Sequence, residues 1–216
     1  MKKITRRRLE NFLKEYASTQ ETLDLGAGRS MYQDLFPNRI SLDIDPGAHP
    51  GVVADIHHLP FPNEKFPIIV CTEVLEHCHS PHQAIAEMRR VLKPEGRLIL
   101  TTRFMFPLHE VPHDYFRYTK YGLRSLLRGM HIVDFRDETD TQTALAVLFQ
   151  RLYSQTELFW GVRPFCRLMV VLLQNLPRLI VKEFGNRSRT RVEQNIMSSG
   201  YYVVAQNPLS AVANAG

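Results

Sequence analysis

The chain has three cysteines in 216 residues, Cys71, Cys78 and Cys166, which form neither a C-x-x-C pair nor an even framework. That excludes a disulfide scaffold, and reduced thiols in a cytoplasmic protein are expected. Long apolar runs are missing too. The stretch Leu168 to Leu173 is broken by Gln174, Asn175, Pro177 and Arg178, short of the roughly twenty apolar residues that a membrane span needs. The opening MKKITRRRLENFLKEYAS is basic but lacks the apolar centre of a secretory leader. No G-x-x-x-x-G-K-[ST] run is present to cradle a triphosphate. A stripe of basic residues interleaved with aromatics and a recognised RNA module are both lacking, so nucleic acid is not an expected partner. His77, Cys78, His79 and His82 cluster without a second ligand group at zinc-like spacing, and no metal is expected.

What is present is a series of short apolar runs, each ending in a carboxylate. TLDLGAGRS, ISLDIDP and VVADIHHLPF put Asp24, Asp43 and Asp55 at the exits of three strand-like runs. This is the pattern of the carboxyl edge of a parallel sheet, where open α/β proteins bind nucleotides. Gly26 and Gly28 give a G-x-G turn at which backbone can approach a ligand. A dinucleotide fingerprint needs a third glycine, and Met31 stands in its place, which argues against a pyrophosphate ligand. Asp43 lies near the roughly twenty-residue interval at which a carboxylate accepts both hydroxyls of a ribose, and Asp55 is placed to border an adenine. A ligand with adenosine, positive charge and no phosphate suits such an acid-lined pocket. S-adenosylmethionine (SAM) is one.

The motifs continue in order. Asp24 to Gly28, Leu42 to Pro46, Asp55 to Phe61, Phe66 to Val70 and Val74 to His77 resemble the D-x-G-x-G, G-x-D-x-S-P, D-x-x-x-L-P-F, F-D-x-V and V-L-E-H segments of class I SAM-dependent methyltransferases, of the type 11 group. Ala84 to Thr102 resembles the helix, Lys-Pro-x-Gly turn and fifth strand of that family, and the resemblance runs from about Glu21 to Phe135. It implies a Rossmann-like, doubly wound α/β fold with a mostly parallel seven-stranded sheet and an antiparallel last strand. It implies SAM as cofactor, leaving as S-adenosylhomocysteine (SAH). Asp24, Gly26, Ala27 and Gly28 would then face the methionine moiety, Asp43 and Ile44 the ribose, and Asp55 and Ile56 the adenine, with Thr72 beside them. The chain departs from the pattern at Pro67, where the family has an acid, and in the short DPGAHPG link between the second and third strands.

Composition sets the frame. With 44% hydrophobic residues and a net charge of +5, one domain over 1–216 is expected, and the charge favours acidic partners. An amphipathic helix is expected over about 2–18, with Ile4, Leu9, Phe12, Leu13 and Tyr16 near one face. Strands are expected near 22–25, 38–43, 51–54, 67–71, 96–102, 131–136 and 200–208. Helices are expected after the glycine loop, over 81–92 and over 119–130, and an insertion spans about 138–198. Within the insertion, 141–160 reads as helical. Residues 162–191 combine Leu, Val, Ile and Phe with Arg163, Arg167, Arg178, Lys182, Arg187, Arg189 and Arg191. That segment suits either a peripheral helix on the anionic inner face of a membrane, or a cap over the site or a homodimer face with solvated arginines.

Two histidine groups bear on chemistry. His77 sits just past the fourth strand. PLHEVPHDYFRYTKYGL, following the fifth strand, supplies His109, His113, Tyr115 and Arg117 as substrate contacts, with His113 or His77 as general base. The alternatives are a pocket-shaping histidine at 77 and a loop tied down by Arg117, with Thr119 capping the next helix. The expected reaction is methyl transfer, foremost to oxygen, on a small, glycan-linked or lipid-linked acceptor. C- or N-methylation, or a SAM-binding scaffold without activity, stand as alternatives.

Overall fold

A computed structural model describes residues 3–28 and 32–209. Its strands are β1 (Thr22–Leu25), β2 (Arg39–Asp43), β3 (Val52–Val53), β4 (Phe66–Thr72), β5 (Leu92–Arg103), β6 (His131–Asp137), β7 (Glu183–Phe184), β8 (Val192–Glu193) and β9 (Gly200–Gln206). Seven of them form one sheet in the order β3-β2-β1-β4-β5-β9-β6, and β7 pairs with β8 apart from it. All pairs from β3 to β5 are parallel, while β9 runs antiparallel between β5 and β6. The direction of winding reverses between β1 and β4, and ligands bind at such a switch point outside the strands' carboxyl ends.

The helices are α1 (Ile4–Glu15), α2 (Pro81–Val91), α3 (Lys120–Leu126), α4 (Thr141–Gln155) and α5 (Val162–Asn175). α1 buries Ile4, Leu9, Phe12 and Leu13, and three of these pack with Ile68, Val70, Ile99, Tyr202 and Val204 on one face of the sheet. Each such side chain contributes about 1.5–3 kcal/mol on leaving water. The other face holds Leu23, Leu25, Ile69, Cys71 and Leu98 against Ile85, Met88 and Leu123 of α2 and α3.

Several sequence expectations shift. Residues 29–31 lie outside the described residues, and after them the chain makes only a 3-10 turn at Gln33–Leu35 where a helix was expected. Pro37 follows, and the residue before a proline is driven out of the helical region. Phe36 accordingly has φ −134° and ψ 70°. The link from β2 to β3 holds only the turn Pro46–Ala48, capped by Asp45. β3 is therefore a two-residue edge strand, for want of room for a crossover helix. Pro67 falls at a bulge where pairing jumps from Phe66↔Leu92 to Ile68↔Arg97, a position that tolerates a residue without an N–H. The helix expected to reach residue 160 stops at Gln155, and the hairpin β7–β8 was not expected.

Candidate functional site

The carboxyl ends of β1, β2 and β4 open on one cavity of about 930 Å³, near the upper end of the size of small-molecule sites. Gly26, Ala27, Gly28, Asp43, Ile44, Asp55, Ile56 and Thr72 all line it. The glycine loop needs its glycines, since Gly26 has φ +61° and Gly28 +45°. A Cβ at Gly26 would collide with Val74.

Asp43 organises the next part of the wall. Its Oδ2 accepts the Gly28 N–H at 2.8 Å and its Oδ1 the Asp45 N–H at 2.9 Å. A carboxylate has about four acceptor sites, so roughly two remain for a ligand. Asp55 accepts the His57 N–H at 2.9 Å and faces the His57 ring Nδ1 at 2.6 Å. Burial opposes its charge, but these hydrogen bonds outweigh it and hold the carboxyl below the usual range. Asp24 is the exception. It is buried and ion-paired with Arg39, and it lies outside the cavity lining. Being the third residue of β1, it sits inside the sheet rather than at its lip.

The far half of the cavity is lined by His77, His109, His113 and Tyr115. The His77 Nδ1 donates to the His113 carbonyl at 2.6 Å, which leaves its Nε2 with the lone pair. The His113 Nδ1 lies 3.1 Å from the Tyr115 hydroxyl. Arg117 does not line the cavity. Its guanidinium bonds both carboxylate oxygens of Asp114 at 2.6 Å and the carbonyls of Phe106 and Pro107 at 3.1 and 3.0 Å. Its planar fork ties the loop down instead of reaching a substrate. Thr119 caps α3 through the Gly122 N–H at 3.0 Å. Arg117 above all, with burial opposing, sets the Asp114 carboxyl at about 2. Asp114 accepts the His109 N–H at 2.9 Å. Burial pushes His109 down to about 4, against the pull of Asp114, so its imidazole is neutral at pH 7.

Sequence reasoning missed a buried charge network beneath the cavity. Arg103, 6% exposed, pairs with Glu73 and, at 2.6 Å, with Glu138. Glu138 also accepts from Ser199 at 2.6 Å and Tyr202 at 2.8 Å. Burial works against the charge of Arg103, and Glu73, Glu138 and Glu76 overcome it. Burial raises Glu73 to about 8 despite Arg103. Glu76 accepts from Thr102 at 2.7 Å, while its Oε1 has no hydrogen-bond partner among the described residues and faces the His109 Nε2 at 3.9 Å. The run Glu73-Val74-Leu75-Glu76-His77 at a strand exit was the available signal.

Two groups bring histidine and carboxylate ligand atoms within 4.8 Å of one another, Asp55/His57/His79 and Glu76/His77/His109. In the first, both His57 nitrogens are engaged, by Asp55 and by the Ser80 N–H at 3.3 Å. The second lies beside the guanidinium groups of Arg103 and Arg117, both of which act on the charge of His109.

Residues 18–100 match a family model described as a methyltransferase domain. The full architecture matches a structure of a putative methyltransferase from Bacillus halodurans, with TM-score 0.59 over 92% of this chain and 98% of that one, at 15% identity. The sequence match covers 18–100, and the fold is the Rossmann-like one of class I SAM-dependent methyltransferases. An uncharacterised protein of Methanocaldococcus jannaschii is 33% identical over 99 residues, 41% of this chain and 44% of that protein. The ubiquinone/menaquinone biosynthesis C-methyltransferase of Ralstonia pickettii is 37% identical over 51 residues, 24% of this chain and 21% of that enzyme. The chain thus spans less than half the length of these relatives. In this chain the glycine loop, Asp43 and Asp55 fall on one cavity.

Proposed function

We propose that the chain transfers a methyl group from SAM to an acceptor oxygen. One observation carries this: the glycine loop, Asp43 and Asp55 share a single cavity with His77, His109 and His113. The residues present suit SAM. Asp43 keeps acceptor sites for the ribose hydroxyls, Asp55 and Ile56 border the adenine, and the Gly26–Gly28 backbone faces the methionine moiety. When bound, SAM supplies an activated methyl whose leaving group is a neutral thioether.

The chain's own work is alignment, exclusion of water and removal of one proton. The hydrogen bond from His77 to the His113 carbonyl fixes the His77 tautomer. His77 then takes the acceptor's hydroxyl proton at Nε2 as the methyl–oxygen bond forms. His113 is the second candidate for this role. Tyr115 and His109 line the acceptor's wall.

Calorimetry with SAM and SAH, followed by transfer of labelled methyl into glycolipid and quinone extracts, tests the reading. Micromolar binding and an O-methylated product support it. No binding of SAM or SAH would sink it. The name of the Ralstonia relative favours a second reading, C-methylation of a quinone-like ring, which a carbon-linked label would establish. SAM binding without turnover would leave the scaffold alternative.

We further propose that the insertion rests on an anionic bilayer at the inner face of the cytoplasmic membrane. No described helix is long and apolar enough to cross a membrane. α5 buries only Cys166 and Val170 and leaves Phe165, Leu168 and Val171 at least half exposed. Nearby Phe159 and Trp160 are 70% and 80% exposed. From Phe159 to Arg191 the chain has seven Lys and Arg against Glu183 alone, a net of +6, which complements an anionic surface. Flotation with phosphatidylglycerol vesicles, lost in Phe165→Asp/Leu168→Asp and absent with neutral vesicles, is expected. Equal flotation of that variant would refute the contact, and a dimer in solution that this variant abolishes would assign the face to a second copy.

A further inference from the structure

The cavity carries charges of both signs. Asp43, Asp45 and Asp55 line it beside the glycine loop, and Lys3, Arg6 and Arg151 also line it, in a lining that includes Glu73 and Glu110. These cations come from α1 and its approach and from α4, elements outside the matched 18–100 segment. A buried hydrogen bond from the Ile4 N–H to the Gln150 Oε1, 3.1 Å, joins the two elements. It holds Lys3 and Arg151 side by side at the rim.

Arg151 stacks on the Phe106 ring at 4.2 Å, and Arg103 lies against the same ring at 4.4 Å. Arg103 has its own partners in Glu73 and Glu138. Among the described residues, no carboxylate lies within 4.0 Å of Lys3, Arg6 or Arg151. Glu110, which also lines the cavity, acts on Lys3 from farther off. Burial and Arg103 both depress the charge of Arg151, and Arg151 foremost, with burial, depresses that of Lys3. Lys3 and Arg6 are exposed and Arg151 is partly buried; like charges gathered this way repel one another until a counter-ion joins them.

We infer that the acceptor carries an oxyanion, a carboxylate or a phosphate ester, received by Arg151 with Lys3 and Arg6. This rests on the methyl-transfer reading, and it names the chemical class that enters the acceptor half. The Arg151 guanidinium lies over the Phe106 ring with no carboxylate of the described residues within 4.0 Å, which leaves its fork for two parallel hydrogen bonds to such a group. The acceptor's anion is thereby anchored on the insertion while its reacting atom lies toward His77 and His113.

The test is calorimetric titration of the full chain with inorganic phosphate and, separately, benzoate, at constant ionic strength, with and without saturating SAH. Saturable binding of either probe is expected, weakened about tenfold in Arg151→Gln. Arg151→Lys should keep most of the affinity, and SAH affinity should change less than twofold in both variants. Preference for phosphate assigns a phosphate ester, and preference for benzoate a carboxylate. Binding of neither probe to the wild type, or equal binding by Arg151→Gln, would overturn the inference. Failure to bind SAH while phosphate still binds would instead strike the cofactor reading and leave the anion site standing. Thermal melts of both variants separate lost binding from lost folding.

Discussion

Replacing Asp43 with alanine isolates the cofactor reading. Two of its acceptor sites are filled by the Gly28 and Asp45 N–H groups, at 2.8 and 2.9 Å. The remaining sites are those assigned to the ribose. A hydrogen bond to a charged group is worth about 1.5–3 kcal/mol, and about 1.4 kcal/mol is a factor of ten in affinity. Loss of one such bond therefore weakens SAH binding roughly 10- to 150-fold. Loss of two would exceed that, offset in part by water entering the vacated space. The Gly28 N–H loses its partner as well, costing about 1 kcal/mol of loop stability, a modest shift in melting temperature for a chain of this length. Asp43→Asn keeps an acceptor without the charge and should fall between. The assay is calorimetry with SAH beside a thermal melt of each variant. SAH affinity within twofold of wild type in a folded Asp43→Ala protein would refute the assignment of Asp43 to the ribose.

Three further outcomes are expected. Gly26→Ala should abolish SAH binding and lower stability, because its Cβ would enter the Val74 side chain at a φ of +61°. Unchanged binding would show that the loop need not hold this conformation. Arg103→Leu should cost about 3–5 kcal/mol, since it strands Glu73 and Glu138 in the interior, and urea unfolding reads this directly. The depressed His109, at about 4, should make stability pH-dependent. The unfolded chain, with an ordinary histidine near 6.5, binds the extra proton between those values. Its contribution is therefore complete above about pH 6.5 and lost as pH falls toward 4. His109→Gln should flatten the melting curve over that window, and a slope identical to wild type would count against the burial argument.

The sheet and the wall of glycines and acids on the cavity were legible because their signals are local. An apolar run, a carboxylate and a glycine turn sit within a few residues of each other at Leu23–Gly28, Ile40–Asp43 and Val52–Asp55, and the strands form where those runs stand. Asp24 was misread for the same reason. The motif shows an acid at a strand exit but not that Arg39, on the neighbouring strand, neutralises it there. Arg117 sits in a loop of plausible substrate contacts, yet its fork closes on Asp114 three residues back. The histidine and arginine wall of the cavity depends on contacts that no local pattern encodes. Arg151 meets Phe106 across 45 residues of sequence (151 − 106), and Ile4 meets Gln150 across 146. Glu138 reaches Arg103 only because β6 and β5 are both paired to β9.

That placement of β9 also sets an order of events during synthesis. β5 and β6 share no direct pairing, and β9 fills the gap between them with Arg97 opposite Gln206 and His131 opposite Gln206 on its two sides. Until Gln206 has left the ribosome, both neighbours present open strand edges, which invite pairing with other chains. The pairing that closes the sheet spans more than a hundred residues and is of the slow, non-local kind. Tyr202 on β9 completes the hydrogen bonds of Glu138, so the arginine beneath the cavity gains its full surroundings only with this last strand. The nascent chain thus carries the glycine and acid loops of the cavity long before its floor is finished.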